Sequence, residues 1–125
     1  MSFQHSVCRW CFEDTPLPQL AEWCQELGIK GIDLLHPHEA SLIAPFDLTC
    51  PVTAAPEHES GLGCIEKAFN NPGHHETLWE IYEKLIPEAA EAGIPNVITF
   101  SGNREGLTDE AGIENCAAGL DPLLA

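Results

Sequence analysis

The sequence predicts an α/β fold with parallel strands, and three observations carry that prediction. Strand-like apolar runs alternate with stretches of helical periodicity four times along the chain. Each strand-and-helix unit takes about 30 residues, the size of a βαβ repeat. No low-complexity linker or long charge run interrupts the 125 residues, so residues 1–125 read as a single domain. Strand followed by helix, repeated, calls for right-handed crossovers and a parallel sheet. An open doubly wound sheet and a (β/α)8 barrel both satisfy this pattern, the barrel needing about 250 residues. No glycine-rich phosphate loop follows the first strand, which counts against a nucleotide-binding doubly wound domain.

The first strand is read at residues 6–12, an apolar run with Val7, Trp10 and Phe12 that stops before Thr15-Pro16-Leu17-Pro18. Leu20, Trp23, Cys24 and Leu27 then fall at helical spacing, with Glu22, Gln25 and Glu26 opposite and Gly28 as the stop. A second strand is read at 31–35 and a short helical stretch at 36–44. The third strand, at 48–54, is weakened by Pro51. The clearest helix covers 78–92, with a stripe of Leu78, Ile81, Tyr82, Leu85 and Ala89, a kink expected at Pro87 and an end at Gly93. A fourth strand covers 96–101. Thr108 is placed to cap a last helix whose first turn carries Asp109 and Glu110 and whose buried face is Ile113, Cys116, Ala117 and Leu120.

Composition narrows the function. Twenty Asp and Glu face five Lys and Arg, a net charge of -15. Phosphate backbones and anionic membrane surfaces need a basic partner, so neither nucleic acid nor membrane is expected. No stretch approaches the roughly 20 apolar residues of a transmembrane helix, and the N-terminus has no secretory pattern. The six cysteines are therefore expected as free thiols in a cytoplasmic protein.

Particular residues add a resemblance. Cys8-Arg9-Trp10-Cys11-Phe12 and Gly28-Ile29-Lys30-Gly31-Ile32-Asp33-Leu34-Leu35 are similar to the opening of hydroxypyruvate isomerase-like proteins. That family belongs to the sugar isomerase and epimerase superfamily of xylose isomerase-like barrels. Ala68-Phe69-Asn70-Asn71-Pro72, His74-His75-Glu76, the run from Ile86 through Ile98, Ser101-Gly102-Asn103-Arg104 and Gly112-Ile113-Glu114-Asn115-Cys116-Ala117 continue the resemblance in collinear order. It implies a partial (β/α)8 TIM barrel of about four βα units, the N-terminal half. It also implies isomerisation of a small hydroxy-keto acid or sugar, hydroxypyruvate to tartronate semialdehyde, through an enediol. The full barrel would use Mg²⁺ or Mn²⁺ and two glutamates, all expected beyond Ala125, so no catalytic or metal-binding residue and no bound metal are assigned to this half.

The ends of barrel strands carry the chemistry in such folds, which places Trp10, Cys11, Phe12, His36, Gly102, Asn103 and Arg104 on one rim. The long connection of residues 55–75 adds His58, Asn70, His74 and His75. Arg104, His75, Trp10, Arg9 and Asn70 are the candidate substrate contacts. Arg104 suits a carboxylate because a guanidinium binds one bidentately and keeps its charge; pairing with a surface carboxylate is the alternative. Arg9 and Asp33 read as a buried ion pair between neighbouring strands, or Arg9 as a rim residue. Cys8 and Cys11 form a CxxC, but residues three apart in a strand diverge, which disfavours a metal or redox pair.

Two other readings remain: a non-catalytic half-barrel serving as a binding or assembly module, and a truncated, inactive fragment. Asp121-Pro122-Leu123-Leu124-Ala125 reads as an interruption of the last helix. Four strands alone leave unpaired edges, which a homodimer closing the barrel would cover.

Overall fold

The computed structural model describes residues 3–124, among which four strands and four α-helices alternate. In order they are β1 (Ser6–Cys8), α1 (Leu17–Glu26), β2 (Gly31–Asp33), α2 (Ala40–Ile43), β3 (Thr53–Ala54), α3 (His75–Glu91), β4 (Val97–Ile98) and α4 (Asp109–Leu120). β1 lies parallel to β2, with Ser6 opposite Gly31, Val7 opposite Ile32 and Cys8 opposite Asp33. The segment entering β3 runs along the other edge of β2. There Thr49 bridges Gly31 in parallel, and the Leu34 amide donates to the Val52 carbonyl at 2.8 Å. β3 continues the order to β4, the Thr53 amide donating to the Asn96 carbonyl at 3.0 Å. Each strand thus neighbours the next in sequence, the order of a (β/α)8 barrel; a doubly wound sheet reverses its order at a switch point.

Close approach sets some of these residues. A Cβ on Gly31 would lie 3.0 Å from the Thr49 carbonyl oxygen and 3.1 Å from the Pro51 ring. A larger residue there would push β2 away from its neighbour. The strands are shorter than the apolar runs suggest. β1 stops at Cys8 because residues Arg9–Phe12 wind into a 3₁₀ turn, and β3 begins only after Pro51, which has no amide for a ladder.

The chain divides into two compact units, Met1–Ala54 with Glu88–Val97, and Ala55–Pro87 with Ile98–Ala125. In the first, Leu17, Leu20, Ala21 and Cys24 of α1 pack with Ile32, Leu35, Ile43, Leu48 and Cys50. Positions 17, 20, 21 and 24 step i, i+3, i+4 and i+7 along one helical face. Trp23 and Leu27, expected on that face, are exposed: Trp23 falls beside the face, and Leu27 lies past the helix end as its C-cap residue. Buried Thr53 donates its hydroxyl to the Leu35 carbonyl at 2.6 Å, so the polar group in this core is satisfied.

In the second unit the core is Ala68, Phe69, Leu78, Tyr82 and Leu85. Asn71 caps a 3₁₀ turn, Pro72–His74, by accepting the Gly73 amide at 2.9 Å. That turn runs straight into α3, which therefore starts at His75 rather than at the expected 78. Pro87 stands inside α3, as the sequence indicates, and the division between the units falls at this residue. Thr108 caps α4 as expected, its hydroxyl accepting the Ala111 amide at 3.2 Å. The expected buried face of α4 is corrected: Ile113 and Ala117 are exposed and Gly119 is buried. A Cβ at Gly119 would sit 2.6 Å from His75 Nε2 and 2.7 Å from Phe69 Cδ1, so α4 docks through its glycine. No helix among the described residues is long and apolar enough to cross a membrane.

Tyr82 ties this core to β4, donating its hydroxyl to the Ile98 carbonyl at 3.1 Å. Burial pushes its hydroxyl above the ordinary tyrosine pKa. Tyr82→Phe is expected to cost about 1–2 kcal/mol at neutral pH, because it leaves that carbonyl unpaired. A phenol whose pKa is raised by folding contributes stability that is complete below its unfolded pKa, about 10, and is lost as pH rises through the folded value. The gap between wild type and variant should therefore narrow above about pH 10, which urea denaturation at neutral and alkaline pH will measure.

Candidate functional site

Beyond β4 the chain is held by the connection that precedes α3 rather than by another strand. The Asn70 amide donates to the Ser101 carbonyl at 2.7 Å, and the Asn103 amide donates to the Glu66 carbonyl at 2.8 Å. This explains why the strand-like run reaches residue 101 while β4 itself ends at Ile98. Asn70 is the hub of the arrangement. It is 7% exposed, its Nδ2 donates to the Asn103 carbonyl at 2.6 Å, and its own carbonyl accepts from Asn115 Nδ2 at 2.9 Å. None of these bonds uses Asn70 Oδ1, which stays able to accept from a ligand hydroxyl.

Around this hub lies a cavity of about 450 Å³, whose wall includes Asn70, Ser101, Gly102, Arg104, Leu107, Thr108, Asp109, Ile113 and Cys116. Its volume falls within the range of small-molecule sites. The Arg104 guanidinium pairs with the Asp109 carboxylate, and both side chains are largely exposed. The expected alternative for Arg104, a surface carboxylate partner, is thus present, and Arg104 also stands in the cavity wall. Burial pushes the Cys116 thiol up, which keeps it protonated and apolar.

Gly102 permits this geometry. Its φ is +97°, and a Cβ there would lie 2.5 Å from Asn70 Oδ1 and 3.0 Å from the Ala68 amide nitrogen. Gly102→Ala is expected to cost about 1–3 kcal/mol, from a strained φ and from overpacking. It should also move the side-chain amide signals of Asn70, read together with the melting temperature.

A second cavity, of about 240 Å³, belongs to the first unit and is lined by Arg9, Trp10, Glu13, Leu34, His36 and Glu39. Trp10 is 63% exposed. Leu34 adopts φ +62°, an uncommon conformation for a branched side chain, immediately after β2. The His36 amide donates to Glu39 Oε2 at 2.9 Å, which closes the turn behind this cavity.

Two expectations are corrected here. Arg9 does not pair with Asp33: once β1 ends at Cys8, Arg9 lies in the 3₁₀ turn and its guanidinium donates to the Phe12 carbonyl. Asp33 accepts instead from Ser6 Oγ at 2.5 Å. Cys11 is in the same turn, not in a strand, so the divergence argument for Cys8 and Cys11 does not apply; both are free thiols. His75 lines neither cavity. It is 7% exposed, bonded through Nε2 to the Phe69 carbonyl at 2.8 Å and packed against Trp79.

Asn70 and Arg104 therefore share one cavity, Arg9 and Trp10 share another, and His75 belongs to the core. Ser101, Leu107, Thr108, Asp109, Gly112, Ile113 and Cys116 also line the cavity at the end of β4 and are not assigned to a site from the sequence, where Thr108 reads as a helix cap and Asp109, Ile113 and Cys116 as helix residues. For Asp109 the signal is the cap at Thr108, which places it in the first turn of α4. Among the described residues no three His, Cys, Asp or Glu side chains converge to hold a metal.

No protein-family model matches the chain, and no curated protein matches it. Among solved structures, it is similar to an AP endonuclease of family 2 from Brucella melitensis, with a TM-score of 0.69 and 16% sequence identity. The likeness covers 94% of this chain and 48% of that one, so this chain spans about half the length of its structural neighbour. At that identity the likeness is one of fold. The chain has the fold of a partial (β/α)8 TIM barrel, with short parallel strands and four α-helices among the described residues.

Proposed function

We propose that this chain supplies half of a barrel that isomerises a small hydroxy-keto acid, hydroxypyruvate to tartronate semialdehyde. The observation that carries the reading is the cavity at the end of β4, where Arg104 stands in one wall with buried Asn70. Arg104 would hold the carboxylate in a bidentate grip. Asn70 Oδ1 and the Ser101 hydroxyl would fix the orientation of the substrate hydroxyl and carbonyl. Leu107 and Ile113 would exclude water from one side of the bound acid. The two glutamates and the divalent metal would come from the other half of the barrel, and the six free thiols would suit a reducing cytoplasm.

Action on DNA, the activity in the name of the solved neighbour, is the competing reading. A net charge of -15 with five Lys and Arg opposes it, since a phosphate backbone must exchange its counterions for protein cations. Calorimetric titration separates the two. Hydroxypyruvate is expected to bind the wild-type chain and to bind Arg104→Ala at least tenfold more weakly, the loss of about 1.4 kcal/mol. Duplex DNA with an abasic site is expected not to bind. Binding of that DNA, or hydroxypyruvate binding indifferent to Arg104, would overturn the proposal.

We further propose that, without that other half, a second copy covers the open strand edge, since β1 pairs on one side only among the described residues; such a dimer duplicates the Arg104 cavity and does not supply the two glutamates. Light scattering should then give twice the 13.6 kDa chain mass; a folded monomer at all concentrations would contradict this.

A further inference from the structure

We propose that Asp109 makes the cavity at the end of β4 selective for small monoanions over multiply charged ones, by competing with the ligand for Arg104. This rests on reading that cavity as the hydroxy-keto acid site. Among the described residues Arg104 is the single cation in the wall, and Asp109, the first residue of α4, already pairs with it. The pair is neutral as it stands. A ligand carboxylate that takes Arg104 leaves Asp109 as one uncompensated negative charge beside it. Each further charge on the ligand would face that carboxylate as well, in a protein of net charge -15. The remaining wall offers no second cation; Leu107, Ile113 and the protonated Cys116 suit an uncharged tail. Phosphorylated sugars and dicarboxylates are therefore poor ligands, and Asp109 sets the discrimination.

The experiment compares wild type, Asp109→Asn and Glu110→Gln. Glu110 lies in the same first turn and carries the same charge, but it is not part of the cavity wall. Each protein is titrated with glycerate, a monoanionic hydroxy acid, and with 3-phosphoglycerate, which has the same carbon skeleton and added charge. Binding is followed through the amide signals of Gly102 and Gly112 and the Arg104 side chain. Wild type should favour glycerate. Asp109→Asn should tighten glycerate about three- to fivefold, as an exposed ion pair allows, and 3-phosphoglycerate by more. Glu110→Gln should change either ligand by less than about twofold. Equal gains in both variants would show a diffuse field rather than a competing contact and would overturn the proposal, as would a wild type indifferent to ligand charge. If glycerate behaves as expected but hydroxypyruvate fails to compete with it, the functional reading falls and the role of Asp109 stands. No binding of either probe to any of the three proteins would overturn both.

Discussion

Phe69→Ala is expected to destabilise the second unit by about 3–5 kcal/mol, the usual cost of removing a buried phenyl ring. Phe69 is 1% exposed and lies under Tyr82 at a ring separation of 5.5 Å and beside His75 at 6.0 Å. Its carbonyl holds His75 Nε2 at 2.8 Å, and its neighbour Asn70 is the hub of the cavity. The void would therefore loosen the ring cluster and the backbone that places Asn70. Urea denaturation will measure the loss, and the Asn70 side-chain amide signals should broaden or shift in parallel. A cost below about 1 kcal/mol would mean that the site collapses freely around the smaller residue.

Gly119→Val is expected to cost about 3 kcal/mol, the upper end of ordinary overpacking. A Cβ alone would stand 2.6 Å from His75 Nε2, 2.7 Å from Phe69 Cδ1 and 2.9 Å from His75 Cδ2, and valine adds two methyl groups. Either the two rings move or the end of α4 lifts. Lifting would stretch the bond that Trp79 Nε1 donates to the Gly119 carbonyl at 2.7 Å. Gly112→Ala serves as the control, since a Cβ at Gly112 meets nothing within 4 Å and alanine favours the helix. Equal melting temperatures for the two variants would contradict docking through Gly119.

The alternation of strand and helix was legible because periodicity depends on local sequence, and α1 and α3 lie close to their expected positions. The cap at Thr108 and the stop at Gly28, with φ +71°, were legible for the same reason. What the sequence hid was tertiary. Ile113 looked like a core residue because helix periodicity assumes that apolar side chains make the contact, whereas α4 makes it at a glycine. Arg9 and Asp33 looked like partners on adjacent strands, but a 3₁₀ turn carried Arg9 out of β1. His75 looked like a rim residue through its place in a long connection; the Phe69 carbonyl and the Gly119 approach draw it into the core instead. The positive φ of Leu34 has no local signature, so the cavity beside it was visible only in part, through Trp10 and His36.

Mapping hydroxypyruvate onto the chain by amide and side-chain chemical shifts is the most direct test of the account. Saturable shifts at Asn70, Gly102, Arg104 and Thr108, abolished in Arg104→Ala while the fold persists, are the predicted result. Shifts confined to Arg9, Trp10 and His36, or no saturable shift anywhere, would contradict it.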